Sequence, residues 1–100
     1  MNIEWRDKAV EELQSIYDYI YSKSPQNAEN VINTLLELGN SLGEFPHKFS
    51  IEPFLNQENT RFAVQWSYKI IYRIENDRII ILRVFDGRQN PQKLSETNKI

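Results

Sequence analysis

The chain has no cysteine, so a disulfide framework, a thiol nucleophile and a thiolate metal site are all excluded. Its one histidine, His47, leaves no His/Cys/Asp cluster with metal-ligand spacing, and no metal or other cofactor is expected. A glycine-rich phosphate loop and a serine elbow are also missing. No apolar run approaches the ~20 residues of a membrane span, and the opening MNIEWRDK lacks the apolar stretch of a signal peptide. A soluble cytoplasmic protein with no membrane role is the expectation. Excess positive charge is lacking too: the net charge is −2, which argues against non-specific nucleic-acid binding.

What the chain does contain is an uneven division of charge. Residues 60–93 hold seven Lys/Arg and three Asp/Glu, whereas residues 1–59 hold four and ten. The first count is set among Ile, Val, Tyr and Phe, so a basic strand block follows an acidic helical half. One hundred residues with 40% apolar content fit one domain, with one layer of helices against one sheet. About two-thirds of the unfolded surface can be buried at this size, so a bound partner would add usefully to stability.

Asn2 to Trp5 alternates polar and apolar residues and reads as a short edge strand. Asp7 is placed to cap a helix whose apolar stripe is Ala9, Leu13, Ile16, Tyr17 and Ile20, ending near Ser22. Ser24-Pro25 restarts the chain as a serine cap followed by proline at the first helical position. Ala28, Val31, Ile32, Leu35, Leu38 and Leu42 mark the second stripe, with Gly43 as the expected C-cap. Gly39 inside that pattern costs up to ~1 kcal/mol relative to alanine. The short link predicts an antiparallel helical hairpin. Segment 44–59 contains Pro46, Pro53 and five large apolar residues, and is expected to fold over the sheet edge or meet a partner.

Asn76-Asp77 predicts a tight hairpin with Glu75 opposite Arg78 and Tyr72 opposite Ile81. Unbroken alternation then puts Tyr68, Ile70, Tyr72, Ile74, Ile79, Ile81, Arg83 and Phe85 on the helix-covered face. Lys69, Ile71, Arg73, Arg78, Ile80, Leu82 and Val84 fall on the other. If Phe62, Val64 and Trp66 join the first face, Arg61 and Gln65 lie beside Lys69 and Arg73 on the open one. Arg83 then needs a carboxylate, from Asp86 or a helix acid, or else the register differs. Residues 1–94 are expected to form the domain and 95–100 a frayed tail.

The order strand, helix, helix, three strands resembles the RelE/ParE superfamily of bacterial type II toxins, in its ParE-like or plasmid-stabilisation branch. The likeness is carried by Trp5 with Ala9, Leu13, Ile16, Tyr19 and Ile20, by Ser24-Pro25 with Ala28, and by Arg61. It continues through the tyrosine-bracketed strand Tyr68-Lys69-Ile70-Ile71-Tyr72-Arg73-Ile74 and the ending Arg83-Val84-Phe85-Asp86-Gly87-Arg88. It implies an α+β fold in the order β-α-α-β-β-β, a helical hairpin packed on an antiparallel sheet. It also implies a growth inhibitor neutralised by a cognate antitoxin.

The superfamily holds two activities, inhibition of DNA gyrase and ribosome-dependent cleavage of mRNA. Cleavage by 2′-hydroxyl attack needs a proton acceptor, a cation for the phosphorane and an acid for the leaving oxygen. Arg61, Lys69 and Arg88 would supply cations for a nuclease. Leu94 stands where the resemblance would place a catalytic tyrosine, and no Tyr or His follows Pro91. His47 is expected to be a solvated loop residue. Gyrase inhibition is therefore the leading expectation, with an mRNA interferase or an inactive antitoxin-binding member as alternatives. Arg61, Lys69, Arg73 and Arg88 are the expected contacts for antitoxin or target, aided by apolar residues of 44–59. An acidic partner segment would suit such a basic face. Both a homodimer and a hetero-oligomer with the antitoxin are open.

Overall fold

Runs of isoleucine, tyrosine and valine suit a pleated, buried surface, and three such runs build most of one sheet. In the computed structural model, which describes residues 1–53, 55 and 57–87, the element order is the expected one. Strand β1 spans Asn2–Trp5, helix α1 Asp7–Tyr21 and helix α2 Pro25–Ser41. Strands β2 Thr60–Gln65, β3 Tyr68–Ile74 and β4 Arg78–Asp86 follow. Their order across the sheet is β1-β4-β3-β2. Because β1 runs parallel to β4, with Asn2 facing Arg78 and Trp5 facing Ile81, the sheet is mixed and not wholly antiparallel. The intervening chain supplies the long crossover that a parallel pair requires. The expected domain end at 94 and the tail 95–100 lie outside the described residues.

Both helices bury the stripes read from their spacing. Ala9, Leu13, Val31, Leu35 and Leu42 pack on Ile70, Tyr72, Ile79, Ile81 and Val84. Asp7 is the first helical residue of α1, and the cap position belongs to Arg6, which makes no side-chain cap. The Arg6 N–H instead donates to the Ile81 carbonyl at 3.0 Å, tying the helix start to β4. Ser24 caps α2 as expected, its Oγ accepting from the Asn27 N–H at 3.3 Å.

Gly39 in α2 and Gly43 just beyond it serve close packing more than turning. Leu42 is the C-cap in right-handed conformation, and Gly43 has no positive φ. A Cβ at Gly43 would lie 2.7 Å from the Met1 carbonyl oxygen. A Cβ at Gly39 would run into Cζ2 of Trp5, whose indole N–H is fixed to Asn40 Oδ1 at 3.0 Å.

The two register expectations fail at identifiable points. Tyr72 faces Ile81 as expected, but Ile71 faces Arg83, so Leu82 is an extra residue in a β-bulge. Beyond it the phase of β4 reverses: Val84 joins the helix-side core and Phe85 the opposite cluster. In β2, Arg61 faces Tyr72 and Ala63 faces Ile70, so Arg61, Ala63 and Gln65 are on the helix side. Phe62 lies on the other face, with Ile71, Ile80, Leu82 and Phe85. Trp66 and Ser67 form a two-residue link that puts Gln65 opposite Tyr68, and this fixes the register. Asn76-Asp77 does close the β3–β4 hairpin, with the Glu75 N–H donating to the Arg78 carbonyl at 2.9 Å.

Strand β1 stops at Trp5, so β4 beyond Ile81 has no strand neighbour on that side. Glu12 of α1 fills the gap. Its carboxylate accepts from Arg83 Nε and Nη2 at 2.9 Å each, and Oε1 also accepts from the Val84 N–H at 3.0 Å. A helix acid was one of the expected partners of Arg83, beside Asp86; its use as a cap on the sheet edge was not expected.

Segment 44–59 folds over the opposite edge. Phe49 packs on the helix-side core. Ile51 then pairs with Arg61, the Phe62 N–H donates to Ser50 O, and the Glu52 N–H donates to Thr60 O. Leu55 arrives on the far face, against Ile71 and Phe62. The segment is a strap around β2.

Two stability outcomes follow. Glu12→Ala removes the bidentate ion pair on the buried Arg83 guanidinium and the acceptor of the Val84 N–H, and should cost about 3 kcal/mol or more in denaturant unfolding. Gly39→Ala should destabilise by about 1–2 kcal/mol despite the ~1 kcal/mol gain in helix propensity, because overpacking against the fixed indole outweighs it.

Candidate functional site

The helix-free sheet face brings together Lys69 and Arg73, on the same side of β3 as Ile71. Lys69 Nζ lies 3.3 Å from Glu52 Oε1 and 4.6 Å from the centre of the Phe62 ring. Glu52 is fully buried, and its Oε2 accepts from the Leu55 N–H at 2.8 Å. The strap thus carries its own carboxylate under the strand and anchors it on Lys69. Arg73 Nε meets Glu75 Oε1 at 3.2 Å. Lys69 and Arg73 keep 26% and 25% of their side-chain surface, so their outer edges remain accessible.

Arg61 belongs to a different environment. It was expected beside Lys69, but the β2 register turns it to the helix side. There its Nη1 donates to the carbonyls of Phe49 at 2.8 Å and His47 at 3.3 Å. Tyr72 reinforces the same loop through a 2.7 Å hydrogen bond from its hydroxyl to the Pro46 carbonyl. Arg61 and Tyr72 clamp the strap, and the His47 side chain is exposed as expected. Arg88 lies outside the described residues.

The expected open basic face is also altered in charge. Lys69, Arg78 and Arg83 pair with Glu52, Glu4 and Glu12, all from the acidic half of the chain. The two unlike halves of the sequence neutralise each other across the fold. Sequence reasoning missed Glu52 as a partner and did not single out Glu12 among the helix acids; the signal available was their sign, since the strand cations needed carboxylates from somewhere. Of the apolar strap residues expected to anchor a partner, Phe49 and Leu55 are packed inside, while Phe45 and Ile51 are exposed; Phe54 lies outside the described residues. Among the described residues no group of three or more His, Asp and Glu is arranged to hold a metal ion. No helix among them is long and apolar enough to cross a membrane.

Tyr72 has chemistry of its own. Burial is the main influence on its phenol, raising it from 10 to about 12, with Arg61 pulling weakly the other way. An unfolded tyrosine ionises near 10. Stability from the neutral buried phenol is therefore complete below pH 10 and is lost as pH rises from 10 through 12. Thermal midpoints across pH 8–12 should show this alkaline loss in the wild type and less of it in Tyr72→Phe. That variant should itself cost about 1 kcal/mol at neutral pH for the hydrogen bond to Pro46.

Residues 3–91 match the family model described as ParE toxin of type II toxin-antitoxin system, parDE. No curated protein matches the sequence. Among solved structures the chain is similar to the chromosomal ParDE toxin–antitoxin system of P. aeruginosa, with a TM-score of 0.72 and 22% identity over 86% of this chain and 95% of that one. It is also similar to the RelBE2 toxin–antitoxin complex of Mycobacterium tuberculosis, with a TM-score of 0.61 and 21% identity over 85% of this chain and 88% of that one. At these identities the two structures establish the shared fold, and the family is set by a match spanning nearly the whole sequence. With its helical hairpin on a four-stranded sheet and its strapped β2 edge, this chain belongs to the ParE toxin family of the RelE/ParE superfamily.

Proposed function

We propose that this ParE-family toxin arrests growth by inhibiting DNA gyrase in the cytoplasm, without cutting RNA, and that a cognate antitoxin neutralises it. The observation that carries the target is the state of the helix-free face. Lys69 stands at the central-strand position where the nuclease resemblance asks for a free cation, and its ammonium is held by the buried Glu52. Neither a tyrosine nor a histidine joins Lys69 and Arg73 there among the described residues. Tyr72, with its phenol raised to about 12, sits on the helix side with its hydroxyl donating to the Pro46 carbonyl. Among the described residues a 2′-hydroxyl attack would lack a proton relay on this face, and the charge of Lys69 is offset by Glu52.

The antitoxin partner is proposed from the two structural neighbours, each of which is a toxin–antitoxin system by its title. The partly exposed edges of Lys69 and Arg73, with Arg88, are the proposed contact surface. An acidic antitoxin segment would compete there with Glu52 and Glu75. Arg61 contributes by holding the strap. A role in plasmid stabilisation would be one biological setting of the same activity.

The purified toxin is expected to reduce gyrase supercoiling of plasmid DNA and to leave message intact in a cell-free translation reaction. Site-specific message cleavage that disappears in Arg88→Ala would overturn this in favour of a ribosome-dependent nuclease.

A further inference from the structure

The turn between β2 and β3 carries a residue that folding alone would not select. Trp66 is the first of two residues linking Gln65 to Tyr68, and its φ is 54°. No other described non-glycine residue has a positive φ. Positive φ confined to the first central position is the pattern of a II′ hairpin turn, which favours glycine there. A large side chain in that conformation is strained. Burial does not compensate: Trp66 is 56% exposed, and Val64, two residues earlier, is 50% exposed.

The turn is also held in place. The Gly87 N–H donates to the Ser67 carbonyl at 2.7 Å, pinning the tip to the end of β4. A rigid strand pair therefore presents an indole and a valine side chain to solvent. Rigid presentation lowers the ordering cost of binding, and tryptophan is prominent among the residues that dominate protein interfaces.

The charge around the tip indicates what it fits. Trp66 and Val64 carry none, and Lys69, which faces Val64 across the hairpin, has its ammonium on Glu52. Nucleic-acid surfaces combine stacking rings with cations free to meet phosphate; among the described residues the charges beside the tip are the paired Lys69 and the acidic Asp86, which faces Tyr68, and such a tip suits an apolar socket on a protein. We propose that Trp66, backed by Val64, is the anchor that this toxin inserts into an apolar socket on the protein it inhibits. This rests on the reading above that the target is gyrase, a protein.

The test compares wild type, Trp66→Phe, Trp66→Ala and Trp66→Gly in gyrase supercoiling, growth arrest on induction and thermal unfolding. Trp66→Ala and Trp66→Gly should weaken inhibition about 30-fold or more, the equivalent of losing a ~2 kcal/mol hot spot. Trp66→Phe should stay within several-fold of wild type. Trp66→Gly should also unfold at a higher temperature than wild type, because glycine relieves the turn. That rise separates an interface anchor from a structural residue, whose loss would lower the midpoint.

Wild-type inhibition retained in Trp66→Gly would overturn the anchor while leaving the gyrase reading intact. A lower midpoint in Trp66→Gly would overturn it as well. Growth arrest without gyrase inhibition or message cleavage, abolished in Trp66→Gly, would remove gyrase but support the anchor on another protein. Message cleavage by the wild type would overturn target and socket together. A dimer in sedimentation that Trp66→Ala dissolves would overturn the proposal by assigning the tip to a second copy of the chain.

Discussion

The carboxylate of Glu12 lets one helix finish a sheet. Strand β4 lies at the centre, between β1 and β3, but β1 is too short to cover it. Beyond Ile81 a buried strand would expose a backbone donor and place an arginine near an apolar core. One side chain from α1 meets both needs, accepting from the guanidinium and from the Val84 N–H. The Arg6–Ile81 hydrogen bond fixes where α1 starts, and Glu12 fixes where it lies one and a half turns later. The bulge at Leu82 is compatible with this arrangement because it releases Arg83 from strict alternation.

The elements were legible in the sequence because their signals are local. Ser24-Pro25, the two helical stripes and the dense Ile/Tyr runs each specify conformation within a few residues. The facing of the sheet was less legible. Alternation assigns faces only while the period of two is unbroken, and nothing in Ile81-Leu82-Arg83 marks an inserted residue. In β2 the apolar trio Phe62, Val64 and Trp66 suggests one buried face, yet pairing puts small Ala63 under the helices and Phe62 on the far side. The deciding turn, Trp66-Ser67, contains no glycine, asparagine or aspartate, so its register had no chemical signature. Arg61 left the expected site for that reason alone.

Charge shows the same limit from another side. The division between an acidic first half and a basic strand block is real along the chain and is offset in space by three ion pairs between the halves. Glu4, Glu12 and Glu52 reach strands that follow them by many residues. What sequence counting presented as a field was a set of complementary pairs. The pair between buried Glu52 and partly exposed Lys69 does more than neutralise, since the same carboxylate holds the Leu55 N–H and keeps the strap across the strand. Removing one partner of such a pair costs more than the pair contributes, so these contacts enforce one arrangement of loop and sheet.

The parallel pairing of β1 with β4 has a consequence for how the molecule comes into being. Asn2 finds its neighbour at Arg78, so the first strand made must wait for the last one described before it can be seated. During synthesis the helical hairpin can form early, but its apolar face has no completed sheet to rest on until β4 has left the ribosome. Such a distant pairing forms later than the hairpins beside it, because its ends must first be brought together. For a toxin that order of events is protective: a chain interrupted midway would lack the central strand that β1, β3 and α1 pack against.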